Sequence, residues 1–402
     1  MKKYLRTTPE GTRDLLFEEC SARKNVESAL TALFKSRGYS KVITPVLEYF
    51  DVFSGESAGF APESMYKLTD NHGRLLVLRP DSTMPIARIV TTRLREASLP
   101  IRLYYNQSVF RCRQSLAGHA NETVQCGIEL IGAKGLRSDL EVISTAIDAL
   151  QGCGAADFRI EIGHAGFFKS LANALDADDD VREEISELIE SKNYAALNDL
   201  LDSMPQTDVT VALKRLPRLF GGAEILEEAA KLYDSEEAHE ALKYLGTIYS
   251  SLSQLGLGEK ITIDLGLVHR SNYYTGTVFR GYIEGSGITV LSGGRYDGLI
   301  GEFGRELPAT GFGVDVDALA KAMLQRGEAQ GEKAADVLVF GEDGYEINAL
   351  IYARELTDIV AEIFTGSSLD EAREYAEKKG IRAIHIIGKD GFKIERTGGK
   401  KA

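Results

Sequence analysis

Apolar residues recur at Val26, Leu30, Leu33 and Phe34, a spacing that predicts a helix from Glu18 to Phe34, ended by Gly38. A second stripe, Leu140, Ile143, Ile147 and Leu150, follows Ser138-x-x-Glu141, which reads as a capping box opening a helix. Between these helices the period falls to two, and Leu75–Leu78, Leu103–Arg111 and Thr123–Ile131 read as strands. The last two flank a loop containing Gly118, so an antiparallel hairpin is expected. From about 176 to 260 helical spacing dominates, and this stretch is read as a helical insertion. At Ile261 the period returns to two, and strands are expected again at Thr277–Ile283 and Ile288–Leu291. Gly327–Lys333 reads as a linker. Beyond it, strands at Val337–Phe340, Ile359–Phe364 and Ile381–Ile387 alternate with helices around Tyr345–Leu356 and Leu369–Lys379, the pattern of a small α/β domain.

Charge changes this picture by segment. The 402 residues carry a formal net charge of −13. Residues 176–260 hold 19 acids and 8 bases, a net of −11, and residues 334–402 hold 13 acids and 10 bases, a net of −3. What remains on the body is close to neutral. The overall acidity therefore excludes binding nucleic acid through a general basic surface but not through a local basic groove. The insertion reads either as a solvated face or as a docking surface for a basic patch on a partner. Cys20, Cys112, Cys126 and Cys153 form no C-x-x-C pair, so reduced thiols, a cytoplasmic setting and neither disulfide nor zinc are expected. No apolar run long enough to span a bilayer is present, and no membrane association is expected.

Candidate chemistry narrows the choice. Gly55-Glu56-Ser57-Ala58-Gly59 matches a nucleophile elbow, but Gly59 and Pro62 break the helix that motif requires, so a loop is expected. No Walker-type, G-x-G-x-x-G or H-E-x-x-H motif occurs. Four segments are more informative: Leu78-Arg79-Pro80-Asp81-Ser82-Thr83; Val109-Phe110-Arg111 with Gln125-Cys126-Gly127-Ile128-Glu129; Asn272-Tyr273-Tyr274-Thr275-Gly276-Thr277; and Gly293-Gly294-Arg295-Tyr296-Asp297-Gly298 with Gly311-Phe312-Gly313. Together with Pro9–Asp14 and Gly38-Tyr39 through Glu48, they resemble the catalytic domain of histidyl-tRNA synthetase. The resemblance implies an α+β class II synthetase-like fold, an antiparallel sheet flanked by helices, over residues 1–325. The segment 334–402 would be a reduced anticodon-binding domain.

The resemblance also implies a pocket for free L-histidine. Asp81, Thr83 and Gln125, with Ser82 between the first two, correspond to the acceptors for an α-ammonium. Glu129 and Tyr274, with Tyr273 beside them, correspond to the groups that read the imidazole, and Arg111 could meet the carboxylate. The chemistry is sensible in itself, because an ammonium needs acceptors and an imidazole N–H is well recognised by a carboxylate or phenolic oxygen. Two carboxylates kept in a pocket without a cation would carry a desolvation penalty, which favours a retained ligand.

Departures from the family set the expected function. Arg113 stands where the family carries an adenine-seating glutamate, His269 where it carries a catalytic arginine, and Arg270 beside it would point elsewhere. Ala318 replaces an ATP-clamping arginine and Asp315 a glycine. Two lost cationic contacts at about 1.5–3 kcal/mol each forfeit roughly 10²- to 10⁴-fold in rate. A chain that keeps the histidine pocket and loses the ATP site resembles the regulatory subunits of ATP phosphoribosyltransferase. That implies no chemistry of its own, no cofactor, a short-form catalytic subunit as partner and feedback regulation of histidine biosynthesis by histidine. It also implies a homodimer through the synthetase-like domain within a hetero-oligomer. A tRNA partner is not expected. The alternatives are a divergent histidyl-tRNA synthetase and a stand-alone histidine sensor.

Overall fold

A computed structural model describes residues 4–55, 60–112, 120–268, 273–284, 287–327 and 333–397. The chain divides into two units, Met1–Gln330 and Gly331–Ala402. The first is built on a nine-stranded sheet. Near one edge lies the expected hairpin, Ile101–Phe110 against Glu122–Ile131, in register from Ile101 opposite Ile131 to Phe110 opposite Glu122. Next come Ala309–Asp315, Thr289–Arg295, Thr277–Ile283 and Phe158–His164, each antiparallel to its neighbour. The outer strands Ser40–Lys41 and Ile261–Asp264 join in parallel.

Alternation along the central strands gives the sheet two different faces. Val124, Cys126, Ile128 and Leu130 point into the main core, where they meet the helix Glu18–Ser36 through Val26, Leu30 and Phe34. The helix Leu136–Gly152 joins the same core through Ile143, Ile147 and Leu150. The other face carries Gln125, Gly127 and Glu129. Around it a smaller apolar cluster gathers Tyr105, Met84, Ile86, Val90 and Tyr296. A three-stranded sheet of Leu47–Tyr49, Leu75–Leu78 and Lys67–Thr69 and the helix Thr83–Thr92 complete this side.

The capping box at Ser138 does not form. The helix starts at Leu136 behind Gly135, whose φ of 77° suits glycine, so Ser138 already lies inside the first turn and its hydroxyl donates to Gly135 O at 2.8 Å. Glu141 turns away to accept from Arg102 and Tyr39. The insertion consists of five helices, Asp179–Glu190, Tyr194–Asp202, Asp208–Arg215, Glu224–Leu232 and Glu236–Gln254. Four begin at side-chain caps from Asp178, Asn193, Thr207 and Ser235. It also contributes the short strand Phe220–Gly221, paired to Ile261–Asp264, and its buried leucines belong to the main core. Among the described residues no helix is long and apolar enough to cross a membrane.

The second unit has a four-stranded sheet. Val337–Gly341 lies between Ala361–Ile363 and Ala383–Gly388, parallel to both, with helices Glu346–Glu355 and Leu369–Lys379. A final antiparallel strand, Gly391–Arg396, was not expected; its alternation is only Phe392-Lys393-Ile394-Glu395, and nearly every position on it is exposed.

Candidate functional site

Arg79 organises the entrance to the site. Buried between elements, it donates to the backbone oxygens of Ser108, Thr44 and Pro45, which ties the turn after Leu75–Leu78 to the sheet. The turn delivers Asp81 to the start of the helix Thr83–Thr92. There Asp81 Oδ1 accepts from the backbone N–H of Thr83 at 2.7 Å and of Met84 at 3.2 Å, satisfying donors that the first turn leaves open. Its second oxygen lies 3.9 Å from Arg111 Nη2. Arg111 donates through Nε to Pro80 O and stacks its guanidinium 5.5 Å from the Phe60 ring centre.

Glu129 is the deepest charged group here, 2% exposed. Thr83 Oγ1 donates to its Oε1 at 2.8 Å, and the Tyr296 hydroxyl donates to its Oε2. A further hydrogen bond links Tyr273 to Thr83. Tyr273 packs edge-on against Tyr274, with ring centres 4.8 Å apart, and lies tilted against Tyr296 at 5.4 Å. Burial pushes the Glu129 carboxyl up to about 8, and the nearby Asp81 charge adds to this, while the bonds from Tyr296 and Thr83 hold it back. Its donors are the hydroxyls of Thr83 and Tyr296, and among the described residues no cation offsets its burial.

The structure brings Asp81, Thr83, Glu129, Tyr273 and Tyr274 together, with Arg111 beside Asp81, while Gln125 shares the sheet face of Glu129 and lines the neighbouring cavity. Ser82 is turned aside, where its hydroxyl accepts from Gln107 in a buried cluster with Thr44. Thr83 Oγ1 spends its proton on Glu129, which leaves the oxygen as an acceptor. Tyr296 was missed as the direct partner of Glu129, although it stands in a quoted motif, because its neighbour is 167 residues away.

Glycines keep the floor open. A Cβ at Gly311 would collide with the Glu129 carboxylate, and one at Gly294 would lie 2.7 Å from the Tyr274 ring. At Gly313 it would lie 2.7 Å from Gln125 Nε2 and 3.1 Å from the Tyr105 hydroxyl, both flexible or terminal groups. Gly313→Ala is therefore expected to displace Gln125 at a stability cost of about 1 kcal/mol. A urea melt checks this, and an unchanged midpoint would show that Gln125 moves aside freely. Gln125 Oε1 is buried and has no hydrogen-bond partner among the described residues, as an acceptor awaiting a donor would be.

Beside the site lies a cavity of 1240 Å³ that reaches Gln125 and Arg111 but not Glu129. Its described lining sets Glu10, Glu190, Asp315 and Asp317 against Arg13, Arg111, Arg280 and Lys321, so it offers no excess positive charge to a triphosphate. Asp315 caps the helix Val316–Gln325, accepting from Ala318 N–H at 2.9 Å. The carboxylate that replaces a family glycine therefore closes a helix N-terminus that an anion could otherwise use. Arg113, His269 and Arg270, and the loop at 56–59, lie outside the described residues. No group of three or more His, Cys, Asp or Glu side chains among the described residues is placed to hold a metal.

The histidyl-tRNA synthetase family model matches residues 11–319. The ATP phosphoribosyltransferase regulatory subunit of Clostridium kluyveri is 42% identical over 391 residues, covering 96% of this chain and 99% of that protein. A crystal structure described as an ATP phosphoribosyltransferase regulatory subunit/histidyl-tRNA synthetase from Bacillus halodurans superposes with a TM-score of 0.84 at 31% identity. The match covers 96% of this chain and 99% of that one. Histidyl-tRNA synthetase from Nostoc shares the fold at a TM-score of 0.79 and 23% identity, over 96% of this chain and 92% of that one.

Proposed function

Because the chain belongs to the family of ATP phosphoribosyltransferase regulatory subunits, built on the histidyl-tRNA synthetase fold, we propose that it regulates its catalytic partner by binding free L-histidine beside Glu129. It is a non-catalytic subunit, and a regulatory subunit implies a catalytic ATP phosphoribosyltransferase chain. The observation that carries the histidine reading is the buried Glu129 carboxyl, set among phenols and, among the described residues, without a cation. An imidazole N–H directed at this oxygen would supply the missing donor, and Asp81 and Gln125 stand where an ammonium would be received. Inhibition then requires that histidine bind the less active state of the complex more tightly, typically by about 1–3 kcal/mol.

The partner is proposed to be the short-form catalytic subunit, and the complex to catalyse the first step of histidine biosynthesis. Leu47, Tyr49 and Leu68 share one exposed face of the three-stranded sheet, with Ile43 and Val46 exposed just before it, a surface suited to a second copy of this chain. Sedimentation of the chain alone is expected to give twice its 44.0 kDa mass. Adding a short-form catalytic chain should produce a heavier complex whose phosphoribosyl transfer is raised and made sensitive to histidine. Unchanged activity and sensitivity on mixing would refute the assignment of partner. A synthetase reading is disfavoured by Ala318 and by the balanced charge of the neighbouring cavity. Histidine-dependent ATP–pyrophosphate exchange would revive it.

A further inference from the structure

The motif Gly293–Gly298 contains an arginine to which the histidine site assigns no role. Arg295 is buried at 6% exposure and spends all five N–H donors inside the protein. Nε and Nη2 donate to Asp139 Oδ1 at 3.0 and 2.5 Å, and Nη2 also donates to Ser138 Oγ at 2.6 Å. Nη1 donates to Ala133 O at 3.2 Å and Asp297 Oδ1 at 2.9 Å. Asp139, 1% exposed, uses its other oxygen to accept from Thr277 Oγ1 at 3.3 Å and from the Tyr244 hydroxyl at 2.8 Å. Gly276 lets this arrangement close, since a Cβ there would meet the Arg295 stem at 3.0 Å.

Two consequences follow from the geometry. Arg295 and Asp297 flank Tyr296, whose backbone N–H donates to Ala309 O at 2.8 Å and whose hydroxyl holds Glu129. Asp297 Oδ1 also accepts from Ala309 N–H, so both neighbours of Tyr296 are pinned to the same strand end. Tyr244, at the other end of the chain of bonds, sits on the helix Glu236–Gln254 of the acidic insertion. Its ring packs edge-on against His164, at the end of the strand Phe158–His164, with ring centres 5.8 Å apart.

We propose that Tyr244 is a positioning residue that couples the helical insertion to the histidine site through Asp139, Arg295 and Tyr296. A hydrogen-bonded network, buried at Asp139 and Arg295, runs from Tyr244 on the insertion through Asp139 on the helix Leu136–Gly152 to Arg295, the residue before Tyr296. Such networks transmit displacement because a shifted member leaves a buried donor or acceptor unpaired. A load on helix Glu236–Gln254 thus alters the orientation of the Tyr296 hydroxyl and the affinity for histidine. The inference rests on the reading that free histidine binds at Glu129.

The test is a double-mutant cycle read by titration calorimetry with L-histidine on the full chain. Tyr244→Phe is expected to raise the dissociation constant about threefold to tenfold, while the double variant Tyr244→Phe/Tyr296→Phe binds no more weakly than Tyr296→Phe alone. Tyr249→Phe, on the same helix but outside the network, should leave affinity unchanged. A loss of stability alone would not produce the non-additivity. Unchanged affinity in Tyr244→Phe, or effects that multiply in the double variant, would overturn the coupling. Should Tyr244→Phe fail to fold, Thr277→Val removes the other donor to the same Asp139 oxygen and is expected to show the same non-additivity with Tyr296→Phe. If the unaltered chain gives no heat with L-histidine, the site reading itself falls, a result distinct from the others.

Discussion

Replacing Glu129 with glutamine is expected to weaken binding of free L-histidine by about 100-fold and to flatten the pH dependence of stability of the unliganded protein. The first effect follows from losing a charge-assisted hydrogen bond in a dry site, worth about 1.5–3 kcal/mol, where the shape is kept but the charge is not. The second follows from the direction of the Glu129 shift. Its folded value, about 8, lies above the ordinary 4.5, so the native state holds a proton that the unfolded chain releases earlier. That contribution is fully present below pH 4.5 and is lost as pH rises towards 8. Asp264, raised to about 6 chiefly by burial, adds a slope of the same sign, but it is common to both proteins and cancels in their difference. Urea melts of the wild type and Glu129→Gln at pH 5 and pH 8.5 should therefore show the variant gaining relative to the wild type at the higher pH. A constant difference would mean that Glu129 is already ionised without ligand. Binding of histidine unaffected by the substitution would move the sensor away from this site.

Arg295→Leu is expected to destabilise the first unit by about 3–5 kcal/mol, because it leaves the Asp139 carboxylate buried and without its cation. The magnitude reflects removal of one partner rather than the worth of the pair, since taking both charges into the interior cost desolvation in the first place. Arg295→Lys should fall between, as a lysine retains the charge but cannot span Asp139, Ser138, Ala133 and Asp297 at once. Denaturant titration followed by a probe in the first unit measures both. A loss below about 1 kcal/mol in Arg295→Leu would show that Asp139 takes up a proton or finds solvent, and the pair would then have no positioning role.

These two substitutions differ in how readily the sequence announces their targets. Glu129 stands in an ordered set of motifs, and alternation along Thr123–Ile131 separates it from Cys126 and Ile128. Once the hairpin register is set, every second residue must share its face. The stripe Val26, Leu30 and Phe34 is legible for the same reason, a local period matched to one apolar surface. Ser138 misled because its spacing from Glu141 satisfies a local rule. Gly135, with its positive φ, starts the helix earlier, and Arg102 and Tyr39 claim the glutamate from another element.

By itself the sequence determined the order of helices and strands through most of both units. It also settled the concentration of negative charge in residues 176–260 and which residue types stand in each motif. All are properties of neighbouring positions or of residue type. Only the tertiary structure decided that Tyr296 holds Glu129 and that Asp139 gathers Arg295, Thr277 and Tyr244. Those bonds join residues far apart in the chain, and they form because strand register and helix packing bring the side chains within hydrogen-bond distance. No local periodicity carries that information, since each partner alone reads as an ordinary polar residue on a strand or helix.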